Sequence, residues 1–157
     1  MIPYLITFFI SISSFAFSSK NKEKLIKIIF TIIGITSLCV LAGIRSSSIG
    51  TDTSGYLFPL INGALTSNSY KEFSEYSWYI HGYIYRITSD FEFGFTLYIY
   101  LISKVFNSTF WVLFFIELLI TLPIYFSIKK FVGEKYLWLS FVVYCLLFYN
   151  LSFNMIR

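Results

Sequence analysis

The residues whose types and spacing suggest chemistry lie in one short segment, Arg45-Ser-Ser-Ser-Ile-Gly50-Thr51-Asp52-Thr53. An arginine at the end of an apolar run is followed by serines and a glycine, which stop a helix, and then by Thr51 and Asp52, two good N-caps for a new helix. N–H groups at a helix start, hydroxyls and a guanidinium are the donors that a phosphate or diphosphate requires. The segment indicates an anion site, and the simpler alternative is that Arg45 snorkels to lipid headgroups while Asp52 only caps a helix.

The composition places this segment in a membrane protein. Of 157 residues, 57% are hydrophobic, 22% are aromatic and 13% are charged, whereas an ordinary soluble domain has roughly 25% charged residues. So few polar side chains cannot cover the surface of a globule of this size, so much of the surface is predicted to face lipid instead of water. Cys39 and Cys145 lie in uncharged apolar runs and indicate neither a disulfide framework nor a metal site. The lysines form two short clusters, which do not resemble a nucleic-acid patch.

Four apolar stretches approach the length of about 20 residues that a helix needs to cross a bilayer. They are residues 2–18, 28–44, 110–128 and 136–156, and only the third contains a charged residue, Glu117. A carboxylate at that depth is costly unless it is protonated or paired, and Lys71 and Lys104 are candidate partners. The sequence predicts an all-α integral membrane protein, a single polytopic unit (residues 1–157) with about four transmembrane helices.

The charged residues between these stretches predict their orientation. Basic residues follow the first span (Lys20, Lys22, Lys24 and Lys27) and the third span (Lys129, Lys130 and Lys135). Short loops rich in lysine are cytoplasmic. The loop of residues 45–93 contains three basic and five acidic residues and is therefore predicted to face outward, as is the N-terminus.

Two more helices are predicted on the outer side. In residues 70–88, apolar side chains recur at helical spacing among many aromatic residues, which predicts an amphipathic helix at headgroup level. Aromatic side chains also stack on sugar rings, but the interfacial interpretation is favoured, and His81 is predicted to be a surface histidine. Residues 94–106 are too few to cross a bilayer as a helix, so a re-entrant or interfacial helix is predicted there. Glu92 precedes it, either as a functional carboxylate or as a residue that complements the helix dipole.

The order of these features resembles the EpsG/Wzy-like family of bacterial polysaccharide polymerases. The resemblance covers most of the chain and rests on order and spacing rather than on one long motif. It consists of the basic cluster after the first span, Arg45 with Gly50-Thr51-Asp52-Thr53 and Tyr56, then Glu92, Gly94 and Phe95, and finally Asn154 and Arg157.

The resemblance implies a glycosyltransferase-type polymerase of the bacterial cytoplasmic membrane. Such proteins join oligosaccharide repeat units carried on polyprenyl diphosphate into exopolysaccharide, capsule or O-antigen. The implied partners are the lipid-linked oligosaccharide, membrane lipid and other polysaccharide export and assembly proteins. The lysine pattern predicts no nucleic-acid partner. The sequence assigns no metal ligand and no cofactor, and it does not fix a metal requirement.

The resemblance also implies roles for individual residues. Arg45 and Arg157 would bind the diphosphate in a pocket shaped by Gly50, Thr51 and Thr53, and Asp52 or Glu92 would be the acid-base group. Four further candidates are Tyr56, Arg86, Glu117 and Asn154.

The length of the chain departs from the family pattern. Family members are longer and have further membrane helices, so this chain is expected to be the N-terminal part of a polymerase and to make little or no polymer alone. The alternative function is a non-catalytic multi-span membrane protein, such as an assembly partner or a transporter fragment that binds an anion at Arg45.

Overall fold

The computed structural model describes residues 2–46, 53–80 and 82–149. Helices dominate these residues, and the predicted all-α class is confirmed, with one small two-stranded sheet added. In chain order the elements are α1 (Ile2–Lys20), α2 (Lys24–Gly43), a π-helical turn (Thr53–Leu57), α3 (Phe58–Thr66), α4 (Tyr70–Ser74), β1 (Ser77–Ile80), β2 (Ile84–Ile87), a 3-10 turn (Thr88–Asp90), α5 (Phe93–Phe106), α6 (Thr109–Phe131), a 3-10 turn (Glu134–Tyr136), α7 (Leu137–Val143) and a second π-helical turn (Tyr144–Phe148).

Three of the described helices are long and apolar enough to cross a membrane. They are α1, α2 and α6, which correspond to the first three predicted spans. The fourth predicted span is helical in its described part, since α7 continues into the second π-helical turn, and its last residues lie outside the described part of the chain. A fourth crossing therefore stays a prediction.

The chain divides into two compact units. The helical unit comprises residues 2–44 and 114–149, and the loop unit comprises residues 45–46, 53–80 and 82–113. The described part of the predicted outer loop thus belongs to the same compact unit as α5. That the whole chain is one polytopic membrane unit stays a prediction.

A face of small residues on α1 allows α2 to pack closely within the helical unit. Ser11, Ser14 and Ser18 recur at helical spacing and are buried. The hydroxyl of Ser11 donates to the carbonyl of Gly34 at 2.9 Å. Phe15 is fully buried, and a Cβ at Gly34 would come within 3.0 Å of its ring. In lipid, small residues and hydroxyls at an interface replace the hydrophobic driving force between helices.

Aromatic side chains extend this packing to the C-terminal helix. The ring of Phe15 stacks on Phe141 with 3.9 Å between centroids, and Phe8 meets Tyr149 edge to face at 5.2 Å. The hydroxyl of Tyr149 donates to the carbonyl of Leu38 at 2.9 Å. Helices α1 and α2 and the end of the described chain therefore share one core.

One carboxylate joins the two predicted lysine clusters. Glu134 Oε2 lies 2.7 Å from Lys27 Nζ, and Glu134 Oε1 lies 3.0 Å from Lys129 Nζ. Both clusters therefore lie at the same end of the helical unit, which we call the lysine end. Which side of the membrane this end faces stays a prediction.

The predicted amphipathic helix over residues 70–88 is wrong for most of its length. Only Tyr70–Ser74 is helical, and the hydroxyl of Ser69 accepts from the N–H of Glu72 at its start. The strands β1 and β2 then form an antiparallel hairpin in which Trp78 pairs with Arg86.

Gly82 provides the physical reason for this difference. Its φ is +77°, a conformation that suits glycine and allows the chain to reverse between two strands. The flanking residues are aromatic or β-branched, and these types are favoured in strands. Tyr79 and Tyr85 face each other across the hairpin with their rings edge to face at 5.3 Å. Cross-strand aromatic pairs of this kind stabilise a hairpin.

The predicted helix over residues 94–106 is confirmed as α5. It ends at Asn107, which adopts a left-handed conformation with φ of 45°. The hydroxyl of Tyr70 lies 2.9 Å from that of Thr96, and Phe73 stacks on Tyr100 at 5.7 Å. These contacts attach α4 to α5 inside the loop unit, and a re-entrant or interfacial placement of α5 stays a prediction.

Two helical glycines of the loop unit differ in their surroundings and predict opposite effects of the same substitution. A Cβ at Gly63 would lie 2.8 Å from Cγ and Cε1 of Tyr76. Among the described residues, no atom beyond its chain neighbours and its own helix backbone lies within 4 Å of a Cβ at Gly94. Gly63→Ala should lower stability by about 1–3 kcal/mol because it overpacks this contact. Gly94→Ala should be neutral or stabilising because alanine is favoured over glycine in helices. Thermal unfolding in detergent measures the melting temperatures of both variants. Equal shifts of the two melting temperatures would contradict the close packing at Gly63.

The pairing at the lysine end predicts a dependence of stability on pH. Hydrogen bonds from Lys27 and then Lys129 hold the pKa of Glu134 below its ordinary value. The stability from this pairing is present above the unfolded-state pKa of about 4.3 and is lost as pH falls through the lowered pKa of the folded state. Because the side chain is 43% exposed, Glu134→Gln should cost at most about 1 kcal/mol at pH 7.

Thermal unfolding at several pH values measures this effect. The difference in unfolding free energy between Glu134→Gln and the parent protein should shrink below about pH 4, because the Glu134 carboxyl group of the unfolded chain is then protonated. Glu23→Gln is the matched control, since Glu23 forms no ion pair within the described ranges. A difference that stays constant from pH 7 to pH 3 would show that the ion pairs are not its cause.

Candidate functional site

The hairpin and the first π-helical turn together form the candidate site. We call it the hairpin site, and it comprises Gly55, Tyr56, Trp78, Arg86 and Phe91. The indole N–H of Trp78 donates to the carbonyl of Gly55 at 2.9 Å. This bond fastens the turn that follows the predicted anion-binding segment to the first strand of the hairpin.

Stacked aromatic rings surround this hydrogen bond. The Trp78 ring stacks on Phe91 with centroids 5.9 Å apart and an interplanar angle of 18°. It also stacks on Tyr76 with centroids 6.1 Å apart and an angle of 28°. Tyr56 meets Phe91 edge to face at 6.0 Å. Aromatic side chains with few rotatable bonds form a rigid surface at low entropic cost. The site is therefore built on a preformed aromatic platform.

Arg86 brings a positive charge to this platform. It stands opposite Trp78 in the hairpin register, and its guanidinium carbon lies 5.9 Å from the centroid of the Tyr56 ring. Within the described part of the chain, two buried donors, Arg86 Nε and the Thr53 hydroxyl, have no hydrogen-bond partner. Buried donors are normally hydrogen-bonded, so these two mark a place where a ligand, ion or water completes the hydrogen bonding.

The structure brings some of the predicted site residues together. Tyr56 and Arg86 are in contact, and Thr53 lies in the same π-helical turn as Tyr56. Arg45, 8% exposed, belongs to the same compact unit. Glu92 is exposed and directly precedes α5 without a capping hydrogen bond from its side chain. The remaining predicted residues, Gly50, Thr51, Asp52, Asn154 and Arg157, lie outside the described residues, as does His81.

Glu117 belongs to the helical unit and is fully buried on α6. Its Oε1 accepts from the hydroxyl of Thr121 at 2.6 Å and from that of Tyr144 at 3.2 Å. Lys104, one of its predicted partners, donates to the carbonyl of Leu65 at 3.4 Å. A buried carboxyl group in a membrane helix requires such hydrogen bonds, because lipid provides none.

Sequence reasoning missed several residues of these two clusters. A helix over residues 70–88 does not allow the pairing of Trp78 with Arg86. Phe91 lies outside that range, and no local signal predicts its contact with Trp78. The signal that predicts the hairpin is a glycine between two runs of β-branched and aromatic residues. Thr121 follows Glu117 by four residues and so lies on the same helix face. No local signal identifies Tyr144 as the second partner.

The hairpin site has the chemistry of an anion and sugar site. A guanidinium is a bidentate donor for phosphate oxygens, and it acts more strongly where water is excluded. The aromatic faces suit the apolar faces of sugar rings. In the part of the chain that the structure describes, no group of three or more His, Cys, Asp or Glu side chains is placed to hold a metal ion.

Comparison with known proteins adds one finding. The model of the EpsG family matches residues 27–157, a range that contains the whole hairpin site and Glu117. This match confirms the resemblance predicted from the sequence. No protein with a curated description matches the chain, and no solved structure matches it.

The cluster around Glu117 predicts a difference between two substitutions. Glu117→Leu removes the acceptor of two buried hydroxyls, and each buried polar group left unsatisfied costs about 1–3 kcal/mol. Glu117→Gln keeps a carbonyl oxygen for both hydroxyls and should retain more stability. Thermal unfolding and the yield of detergent-extracted protein compare the stability of the leucine and glutamine variants. Leu119→Ala, on the exposed side of α6, is the control. A leucine variant as stable as the glutamine variant would contradict a structural role for these bonds.

Proposed function

Since this chain belongs to the EpsG family, we propose that it takes part in polymerising lipid-linked oligosaccharide repeat units for a cell-surface polysaccharide. The observation that carries the proposal beyond the family is the position of Arg86 over Tyr56, with a buried Nε that has no hydrogen-bond partner among the residues that the structure describes. It is a cation held beside stacked aromatic rings. This combination suits a substrate that contains both sugar rings and a diphosphate.

The proposed reaction needs three groups. The hydroxyl of one sugar attacks the anomeric carbon of another, a C–O bond forms there, and the bond from that carbon to polyprenyl diphosphate breaks. Cations stabilise the negative charge on the leaving diphosphate. A carboxylate accepts the proton of the attacking hydroxyl. Aromatic side chains orient the sugars, which lowers the entropic cost of the step.

We assign these roles as follows. Arg86 joins Arg45 and Arg157 as a diphosphate-binding cation, and the segment from Gly50 to Thr53 shapes the same pocket. Asp52 or Glu92 is the acid-base group. The aromatic platform, on the side of Trp78 and Phe91, holds the sugars. The site faces the outside of the bacterial cytoplasmic membrane, and the partners are lipid-linked oligosaccharides and other polysaccharide assembly proteins.

Complementation tests the proposal. A strain that makes the lipid-linked repeat unit but lacks its own polymerase is given the complete reading frame that contains this chain, and polymer length is measured by gel electrophoresis. Arg45→Ala and Arg86→Gln should each reduce polymer at least about tenfold, since losing one donor to a developing charge costs about 10²–10³ in rate. Lys71→Gln is the matched control, because Lys71 is an exposed cation of the same compact unit.

The possible outcomes separate the two functions. Normal chain length at normal membrane abundance for both arginine variants would overturn the site assignment. Absence of polymer from the parent protein, together with retained binding of the lipid-linked substrate, would favour the non-catalytic alternative, an assembly partner or transporter fragment that binds an anion.

A further inference from the structure

The lysine end of the helical unit encloses a cavity separate in its residues from the hairpin site. Its volume is about 420 Å³. It lies where α1 ends, α2 begins and α6 ends, so it is formed by the termini of the three described helices that are long and apolar enough to cross a membrane. Its charged lining residues are Lys22, Lys24, Lys27, Lys129 and Glu134.

The lining of this cavity favours an anion. Four lysines face one glutamate, and that glutamate is already held by Lys27 and Lys129 at 2.7 and 3.0 Å. Lys22 and Lys24 are exposed and form no ion pair within the described ranges. The cavity therefore has a net positive charge at neutral pH, and two of its ammonium groups remain available to a ligand.

Hydroxyl groups of Ser18 and Thr31 also line the cavity. Ser18 Oγ and Thr31 Oγ1 lie 3.0 Å apart, and the Ser18 hydroxyl also donates to the carbonyl of Lys27 at 3.0 Å. These bonds fix the start of α2 against the end of α1. Hydroxyls beside ammonium groups are a common set of donors for phosphate oxygens.

The cavity also has an apolar side. Ile28 and Ile32 line it from α2 and are 47% and 56% exposed. They are one turn apart on a helix that is long and apolar enough to cross a membrane. A ligand seated among the lysines therefore continues along an apolar helix surface, which is the shape of an amphiphile and not that of a free anion.

We propose that this cavity binds the phosphate headgroup of an anionic phospholipid, with the acyl chains along Ile28 and Ile32. Basic pockets between membrane helices bind such headgroups, and each lysine near an anionic membrane surface contributes about 1 kcal/mol. Inorganic phosphate would satisfy the lysines but would leave both isoleucines without a partner. The lipid therefore accounts for both sides of the cavity.

Lipid titration of the purified full chain tests the proposal. Native mass spectrometry in detergent, with added phosphatidylglycerol or phosphatidylcholine, should show one tightly bound phosphatidylglycerol and no tightly bound phosphatidylcholine. Replacing Lys22 and Lys24 together by glutamine should weaken this binding about 30-fold, from about 1 kcal/mol for each lysine and a factor of ten for every 1.4 kcal/mol.

The matched control removes the same charge from the same end of the unit. Lys130 and Lys135 belong to the same basic cluster as Lys129 but do not line the cavity, and their replacement by glutamine should change binding less than about threefold. All four lysines are exposed, so thermal unfolding without lipid should be the same for both double variants. Equal weakening by the two double variants would overturn the site in favour of general surface attraction.

A third arm separates the lipid from a free anion. Inorganic phosphate is added at the ionic strength of a chloride control, and phosphatidylglycerol should remain bound. Displacement by millimolar phosphate, or equal affinity for phosphatidylcholine, would overturn the assignment to an anionic lipid. None of these outcomes depends on polymer formation, so the proposed function is tested independently.

Discussion

Lipid as a solvent offers no hydrogen bonds, and this constraint decides where each kind of backbone and side chain occurs in the chain. Backbone groups inside a bilayer bond within their own segment, which makes helices the natural form for apolar runs. The hairpin and the first π-helical turn lie in the loop unit, among residues that are not candidate spans. The described ion pairs lie at the lysine end, and the buried carboxyl group of Glu117 is bonded to hydroxyls of its own unit. Where lipid cannot solvate a polar group, the protein does.

Outside the spans, the order of the loop unit depends on long-range contacts. The bond from Trp78 to Gly55 joins residues 23 positions apart, and the hairpin register then places Arg86 beside Trp78. The rings that form the platform also pack the strands against the turn. The same contacts therefore determine the packing of the loop unit and the geometry of the site. A substitution that loosens the platform will therefore displace the cation as well.

The parts of the fold that could be predicted from sequence are those with a local cause. Three spans follow from apolar runs of sufficient length, and the two lysine clusters that Glu134 joins follow from their positions between those runs. The hairpin was missed because the apolar residues of 70–88 fit helical spacing, and only Gly82, with its positive φ, favours a reversal of the chain. In the candidate site, the sequence predicts a role for the segment that contains Arg45 and Thr53, and that role stays a prediction. The contact between Tyr56 and Arg86 could not be predicted, because strand pairing brings together residues that no local pattern connects.

The distribution of the two basic residue types gives the last step. The chain has twelve basic residues, and its three arginines, Arg45, Arg86 and Arg157, all lie outside the two lysine clusters. Arginine is a planar, bidentate donor that stacks on aromatic rings, whereas lysine is a mobile point charge. A reaction that must hold a diphosphate in one orientation needs arginine. Lysine is sufficient to bind a headgroup at a membrane surface. The separation of arginine from lysine therefore agrees with the two proposed anion sites, one for a reacting substrate and one for a lipid of the surrounding membrane.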